Sequence, residues 1–219
     1  MSKVYGDAHR ALQDQFDSRR LADRIEEIII KQEIGDVEKG YIESRDMFFL
    51  SSIDHQGRPT VSYKGGTPGF VRVLDATTIA FPSYDGNGMY MSMGNISANP
   101  EIGILFIDFE RPFRMRFQGR AAITRDPSAL GMFKEAELAV VVKLSQLWMN
   151  CPRYVHRMQK VSSSRYAPRE DANTPFCEWK RIDMLQDVLR PHETAVVEKT
   201  GTITIDDWMG KVFTGDEKV

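Results

Sequence analysis

The chemistry-bearing residues of this 219-residue chain crowd into one stretch, SYKGGTPGFVRVLDATTIAFPSYDGNGMYMSMGN at 62–95, where glycines and polar side chains interrupt apolar runs. A phosphate-like anion needs a cation and several N–H or hydroxyl donors. Lys64 with Ser62, Ser83, Asn87 and Ser92 makes such a set, and Gly86 and Gly88 let backbone approach a ligand closely. A helix opening near Gly88 would add free N–H groups and the positive end of its dipole. Met89, Met91 and Met93 alternate through the same loop, and flexible thioethers suit the wall of an irregular apolar pocket. A plainer reading is that the glycines and serines mark ordinary turns and Lys64 is a solvated strand residue. Composition leaves both open.

Other chemistries lack their residues. No GxSxG elbow or hydrolase-type cysteine signature occurs, and His9, His55, His156 and His192 show neither HExxH spacing nor a Cys/His pairing. Neither GxxxxGK[ST] nor a GxGxxG following a strand is present, so those two phosphate cradles are excluded. Arg114 and Arg116 alternate with Met115 and Phe117, which puts both guanidinium groups on one strand face. They either meet a ligand or pair with Asp108 or Glu110. Cys151 in NCPRY is read as a buried small residue, with a reactive thiol as the alternative. Tyr154 and His156 either border a pocket or pack, and Trp148 and Trp179 offer aromatic surface for stacking or for the core.

The elements that must position these groups change type near residue 46. Leu21, Ile25, Ile28 and Ile29 recur at helical spacing, and two or three helices are expected in residues 1–45, one of them capped by Asp36. From Met47 short apolar runs alternate with turn signals, MFFLSSI, TVSYK, FVRVL and TIAFPS, with hairpin turns expected at Asp54–Gly57 and at Asp75 with Thr77. A short helix over MYMSMGNISAN precedes the strands EIGILFIDF and RMRFQGRAAI. A helix over DPSALGMFKEAE and a last strand, LAVVVKLSQLWM, follow. About six antiparallel strands, mainly β with flanking helices, predict a small closed barrel, with an open covered sheet as the alternative. Residues 159–219 read as a loop, a helix over PFCEWKRIDMLQDVL, and a closing TGTITIDDWMGKVF that adds an edge strand or stays irregular. The remaining divisions are an N-terminal helical segment at 1–45 that packs on the barrel and the barrel domain at 46–158.

Composition narrows the partners. Lys and Arg total 29 against 31 Asp and Glu, a net charge of −2, which supplies no field for nucleic acid. Two cysteines make no disulfide framework, and no stretch approaches the ~20 apolar residues of a membrane span. A cytoplasmic protein without membrane partner is expected.

The segments DMFFLSSIDHQGRPTVSYKGGTPGFVRV, TIAFPSYDGNGMYMSMGNISANPEIGILFIDFERPFRMRFQGRAAI and WMNCPRYVHRM, spanning 46–158, resemble the pyridoxamine 5′-phosphate oxidase-related family of FMN-binding split barrels, in its branch with SYKGG, YDGNGM and NCPRY. The resemblance implies a six-stranded split barrel, a homodimer, and FMN in grooves between subunits. The residues expected to contact the cofactor are Ser62, Tyr63, Lys64, Pro82, Ser83, Asn87, Gly88, Ser92, Asn95, Arg114 and Arg116. Lys64 matches the lysine that helps hold the flavin phosphate in the B6 oxidases. An arginine five positions earlier in those enzymes falls on Pro59 here, beside Arg58, and their cationic loop is replaced by DGNGM. Lys64 therefore bears more of the phosphate charge, helped by Ser92, Asn95 and backbone donors. The substrate-binding Arg and His pattern of the B6 oxidases has no counterpart near the C terminus. The resemblance thus implies an FMN-dependent oxidoreductase acting on something other than pyridoxamine phosphate. A non-catalytic flavin-binding or storage protein, and a split barrel using deazaflavin or heme, are the alternatives.

Overall fold

The computed structural model describes residues 2–216 and 218, in two compact units that meet in sequence at Val161 and Ser162. The larger unit carries one antiparallel sheet of seven strands: β1 (Met47–Ile53), β2 (Pro59–Gly65), β3 (Arg72–Asp75), β4 (Thr78–Ser83), β5 (Glu101–Asp108), β6 (Phe113–Thr124) and β7 (Leu138–Asn150). Their order is β2-β1-β5-β6-β7-β4-β3. Each of the seven apolar runs forms a strand, one more than the six expected, and the FVRVL run gives the shortest, the four-residue β3, with a bulge between Val73 and Asp75.

Apolar alternation makes these strands two-faced, and the buried face closes on itself. Phe48, Leu50, Phe81, Ile104, Phe106, Met115, Phe117, Val140 and Val142 form one core cluster. Three strands, β5, β6 and β7, separate β1 from β4, which in a flat sheet would set them about 19 Å apart. Yet the rings of Phe48 and Phe81 lie 5.0 Å apart, edge to face. The sheet is therefore rolled, with β2 and β3 at its two unpaired edges: a split barrel. A bulge between Gln118 and Gly119 helps the long β6–β7 pair to turn. A Cβ at Gly119 would lie 2.4 Å from the Lys143 carbonyl oxygen, so only glycine fits there.

Three helices precede the barrel: α1 (Asp7–Gln15), α2 (Arg19–Ile29) and α3 (Asp36–Glu43). The third buries Ile42 in the core, whereas α1 and α2 bury no residue. Its N-cap is Gly35, with Asp36 in the first turn, because the Glu38 carboxylate already accepts from the Gly35 N–H at 3.1 Å. Helix α4 (Met91–Ala98) plugs the barrel with Met93 and Ile96. The helix expected over DPSALGMFKEAE is a single turn, α5 (Pro127–Leu130), capped by Asp126.

The smaller unit holds α6 (Pro191–Thr200) and α7 (Ile205–Thr214). The helix expected over PFCEWKRIDMLQDVL is instead two 3₁₀ segments, Glu178–Arg181 and Asp183–Val188. The tail is a helix rather than a strand, because Thr204 and Asp207 form a capping box, the Thr204 hydroxyl accepting from the Asp207 N–H at 3.1 Å. Inside this unit Lys180 and Glu193 form a buried ion pair at 2.6 Å. Hydrogen bonds from Arg190 and Lys180 outweigh burial and hold the Glu193 carboxyl near pKa 2. Among the described residues no helix is long and apolar enough to cross a membrane.

Candidate functional site

Strand pairing decides which candidates share a face, since directly paired residues point the same way. Lys64 pairs with Phe48, Ser62 with Leu50 and Thr60 with Ser52, all three partners being buried, so Lys64 and Ser62 lie on the inner side of edge strand β2. Tyr63 lies on the opposite, outer face, exposed and in edge-to-face contact with Phe49. The sequence-based set is therefore split by the sheet itself.

On the inner side, Ser62 Oγ lies 3.0 Å from Ser92 Oγ, which ties β2 to the first turn of α4. That helix begins at Tyr90, held at φ +48°, and no side chain caps its first N–H groups. Tyr90 is anchored by its hydroxyl, which donates to Glu137 at 2.7 Å. Gly88 stands at φ +77°, where a side chain would be strained. Lys64 is half-buried, and among the described residues its ammonium has no hydrogen-bond or ion-pair partner; burial pulls its pKa below the ordinary lysine range. Tyr84, just past β4 and not singled out by sequence reasoning, is pushed up to about 12 by burial and by the charge of Glu135. It stays a protonated donor at neutral pH.

Other members of the set serve the fold. Asn95 Nδ2 donates to Ser52 Oγ at 3.1 Å and to Thr60 Oγ1 at 3.2 Å, which uses both of its donors to fasten α4 to the β1–β2 hairpin. Pro82 is buried opposite Ala139. The Ser83 carbonyl accepts from the Glu137 N–H. Asn87 folds back on its own loop, its Oδ1 accepting from the Met89 N–H at 3.1 Å. Met93 is core, whereas Met89 and Met91 are exposed.

The outer face carries the arginines. Leu105 pairs with Arg116 and Arg116 with Trp148, and the Arg116 guanidinium lies 5.9 Å from the centre of a Trp148 ring. A cavity of about 310 Å³ opens beside them, lined by Phe49, Ser51, Val61, Gly103, Leu105, Arg116 and Gln118 among others. Asp108, the expected partner of Arg114, is held instead by Arg45 at 2.8 Å. Glu110 accepts from the Lys160 N–H. Arg114 Nε is buried without a partner, and so is Oδ1 of Asn150, its register neighbour on β7. The importance of Asn150 had no sequence signal beyond its place in NCPRY. A buried donor and a buried acceptor left unpaired cost about 1–3 kcal/mol each.

The segment after β7 overturns the packing expectations. Cys151 is exposed rather than buried, its sulfur accepting from the Arg153 N–H at 3.4 Å. Tyr154, at φ +68°, and His156 are exposed as well. No helix forms there, because the chain runs back along the β5–β6 hairpin, the Met158 N–H donating to the Phe109 carbonyl. Trp179 belongs to the smaller unit, its ring beneath the Lys180 ammonium.

These vacant valences test what fits. An unpartnered half-buried ammonium beside hydroxyls and open helix N–H groups suits a phosphate. An orphaned donor beside an orphaned acceptor suits the edge of a planar ring that bears both a carbonyl and an N–H.

No curated protein matches the sequence. Among solved structures, the chain is similar to Group A Streptococcus HupZ, at 19% identity over 57% of this chain and 99% of that one, with a TM-score of 0.44. It is similar as well to a putative pyridoxamine 5′-phosphate oxidase from Lactobacillus delbrueckii, at 16% identity over 54% and 95% of the two chains and a TM-score of 0.43. An FMN-binding protein from Syntrophomonas wolfei aligns at 12% identity over 64% and 97%, with a TM-score of 0.40. A family model described as pyridoxamine 5′-phosphate oxidase matches residues 34–149, more than half of the sequence and all of the barrel but the last residue of β7, and the chain belongs to that family.

Proposed function

We propose that the protein binds FMN between two copies of itself and acts as a flavin-dependent oxidoreductase. The observation that carries this reading is that the unpartnered Lys64 and the unpaired Arg114 and Asn150 lie on opposite faces of one sheet. Lys64 and Ser62 face inward at β2, while Arg114 and Asn150 face outward three and four strands away, about 14 to 19 Å along the sheet. A ligand lying along one face of one copy reaches only one set. Two copies whose outer faces meet bring the Lys64 edge of one toward the Arg114 face of the other, and membership of the family supports a flavin as the shared ligand.

In this reading Lys64 neutralises the phosphate, with Ser62, Ser92 and the open N–H groups of α4 as further donors. Arg114 Nε and Asn150 Oδ1 hold the carbonyl and N–H of the ring edge, and Trp148 with Arg116 shields it from water. FMN, when bound, supplies hydride and single-electron chemistry. The protein supplies position and charge, and hydride transfer needs little more than positioning.

An absorption spectrum of the purified protein, followed by anaerobic NADH or NADPH, tests the proposal. Bands near ~370 and ~450 nm that bleach on addition are expected. Persistent bands would leave flavin binding standing and remove nicotinamide as the donor. A Soret band or a colourless protein that does not take up added FMN would overturn it.

A further inference from the structure

Gly103 sits inside β5 on the outer face, a place where glycine weakens a strand. Neither strain nor crowding calls for it. Its φ lies outside the left-handed range, and a Cβ added there would meet only Ser51 Cβ at 3.8 Å, an ordinary contact. A glycine that its own chain does not require marks a close approach by something else.

The register shows what the missing side chain leaves open. Val61, Ser51, Gly103 and Gln118 form one row across β2, β1, β5 and β6, and Phe49, Leu105 and Arg116 belong to the next. All seven line the cavity of about 310 Å³. The small pair Ser51 and Gly103 makes its floor, and the larger side chains around them make its walls.

Those walls are apolar except on the β6 side. There Arg116 carries a charge that no carboxylate meets: among the described residues no Asp or Glu lines the cavity, and the guanidinium has no hydrogen bond or ion pair, only the Trp148 ring. Beside it Gln118 Oε1 accepts from Gln146 Nε2 at 2.6 Å, which fixes the amide and leaves the Gln118 Nε2 to donate elsewhere. Apolar walls with a few convergent donors are the build of a small-molecule pocket.

We propose that this cavity binds a flat, mainly apolar ring compound bearing one carboxylate. The sheet floor selects a flat shape, and the guanidinium fork matches a carboxylate in two parallel hydrogen bonds. A phosphate carries nearly two charges at neutral pH, more than one arginine neutralises. Arg114 and Asn150 lie one row away along the same strands, about 7 Å, so a ring in the cavity adjoins the flavin edge. That the ligand is a substrate rests on the flavin reading above; that it binds here does not.

The test is calorimetric titration of the FMN-treated protein with 2-naphthoate and with its uncharged counterpart 2-naphthamide. Wild type is expected to hold the carboxylate at least tenfold more tightly than the amide, and R116Q to remove that preference. G103V is expected to weaken both probes at least tenfold and G103A less, while both variants melt no lower than wild type and keep FMN. Equal affinity for the two probes in wild type, or unchanged affinity in G103V and G103A, would overturn the proposal. So would a shift of the Gly103 variants to monomer on size exclusion, which would seat a second copy in the gap, or their loss of FMN, which would seat the flavin there. A protein that takes up no FMN yet distinguishes the probes would overturn only the assignment of the ligand as a substrate.

Discussion

The inner rim at β2 and the outer face at β6 and β7 hold polar groups in different ways. At the rim, Ser62 is bonded to Ser92, and Asn95 locks α4 to Ser52 and Thr60, a hydrogen-bonded frame on the face that also carries Lys64, which has no partner among the described residues. On the outer face Gln146 donates to Gln118 and Arg116 rests on Trp148, while Arg114 Nε and Asn150 Oδ1 are buried and unpaired. A rim built to receive an anion and a face left with open valences are complementary, but they belong to opposite sides of one sheet. In the proposed dimer a second copy completes each set.

Substitution of Lys64 breaks the comparison most sharply. Lys64→Ala is expected to weaken FMN binding at least tenfold, since a hydrogen bond to a charged group contributes about 1.5–3 kcal/mol. Its Tm should not fall, because Lys64 has no partner to lose among the described residues. Titration by flavin fluorescence quenching, with a melting curve, checks both. Asn95→Ala inverts the pattern: stability drops by about 1–3 kcal/mol as Ser52 and Thr60 lose their donor, and FMN affinity changes less than in K64A. Denaturant unfolding separates the two. Arg114→Gln, on the outer face, is expected to cost a few-fold in affinity and nothing in stability.

The smallest effect is on pH. Burial lowers the pKa of Lys64, so the ammonium in the free protein is lost at a lower pH than on an exposed lysine. Anion binding favours the charged form. Affinity is therefore full on the acid side and declines as pH rises through that lowered pKa, a slope that should be absent in K64A. A slope unchanged in that variant would place the anion elsewhere.

Much of the fold is legible in local pattern. The Asp54–Gly57 turn closes β1 onto β2, with the Asp54 N–H bonded to the Arg58 carbonyl, and Asp75 accepts from the Thr77 N–H as the turn signal implies. Period-two alternation also contains the separation of Tyr63 from Ser62 and Lys64, although all three are expected to contact the cofactor. What local pattern does not carry is long-range pairing. That β1 lies beside β5, and that Arg45 rather than Arg114 takes Asp108, depends on how the strands assemble. Exposure of Cys151 was missed for the same reason, since it follows from the path of the chain along the β5–β6 hairpin. The α7 helix was missed despite its signal, Thr204 and Asp207 at capping-box spacing, because the β-branched run TITI reads locally as strand.

Mixing two defective proteins tests the shared site most directly. In a dimer of one K64A chain and one R114A chain, one site lacks both groups and the other keeps Lys64 from one copy and Arg114 from the other. Equilibrating the two variants and titrating FMN should restore wild-type affinity at about a quarter of all sites, given random exchange of subunits and an intact site in half of the pairs. Affinity no better than that of the separate variants, with subunit exchange verified, would place the whole site within one chain and contradict the division between rim and face.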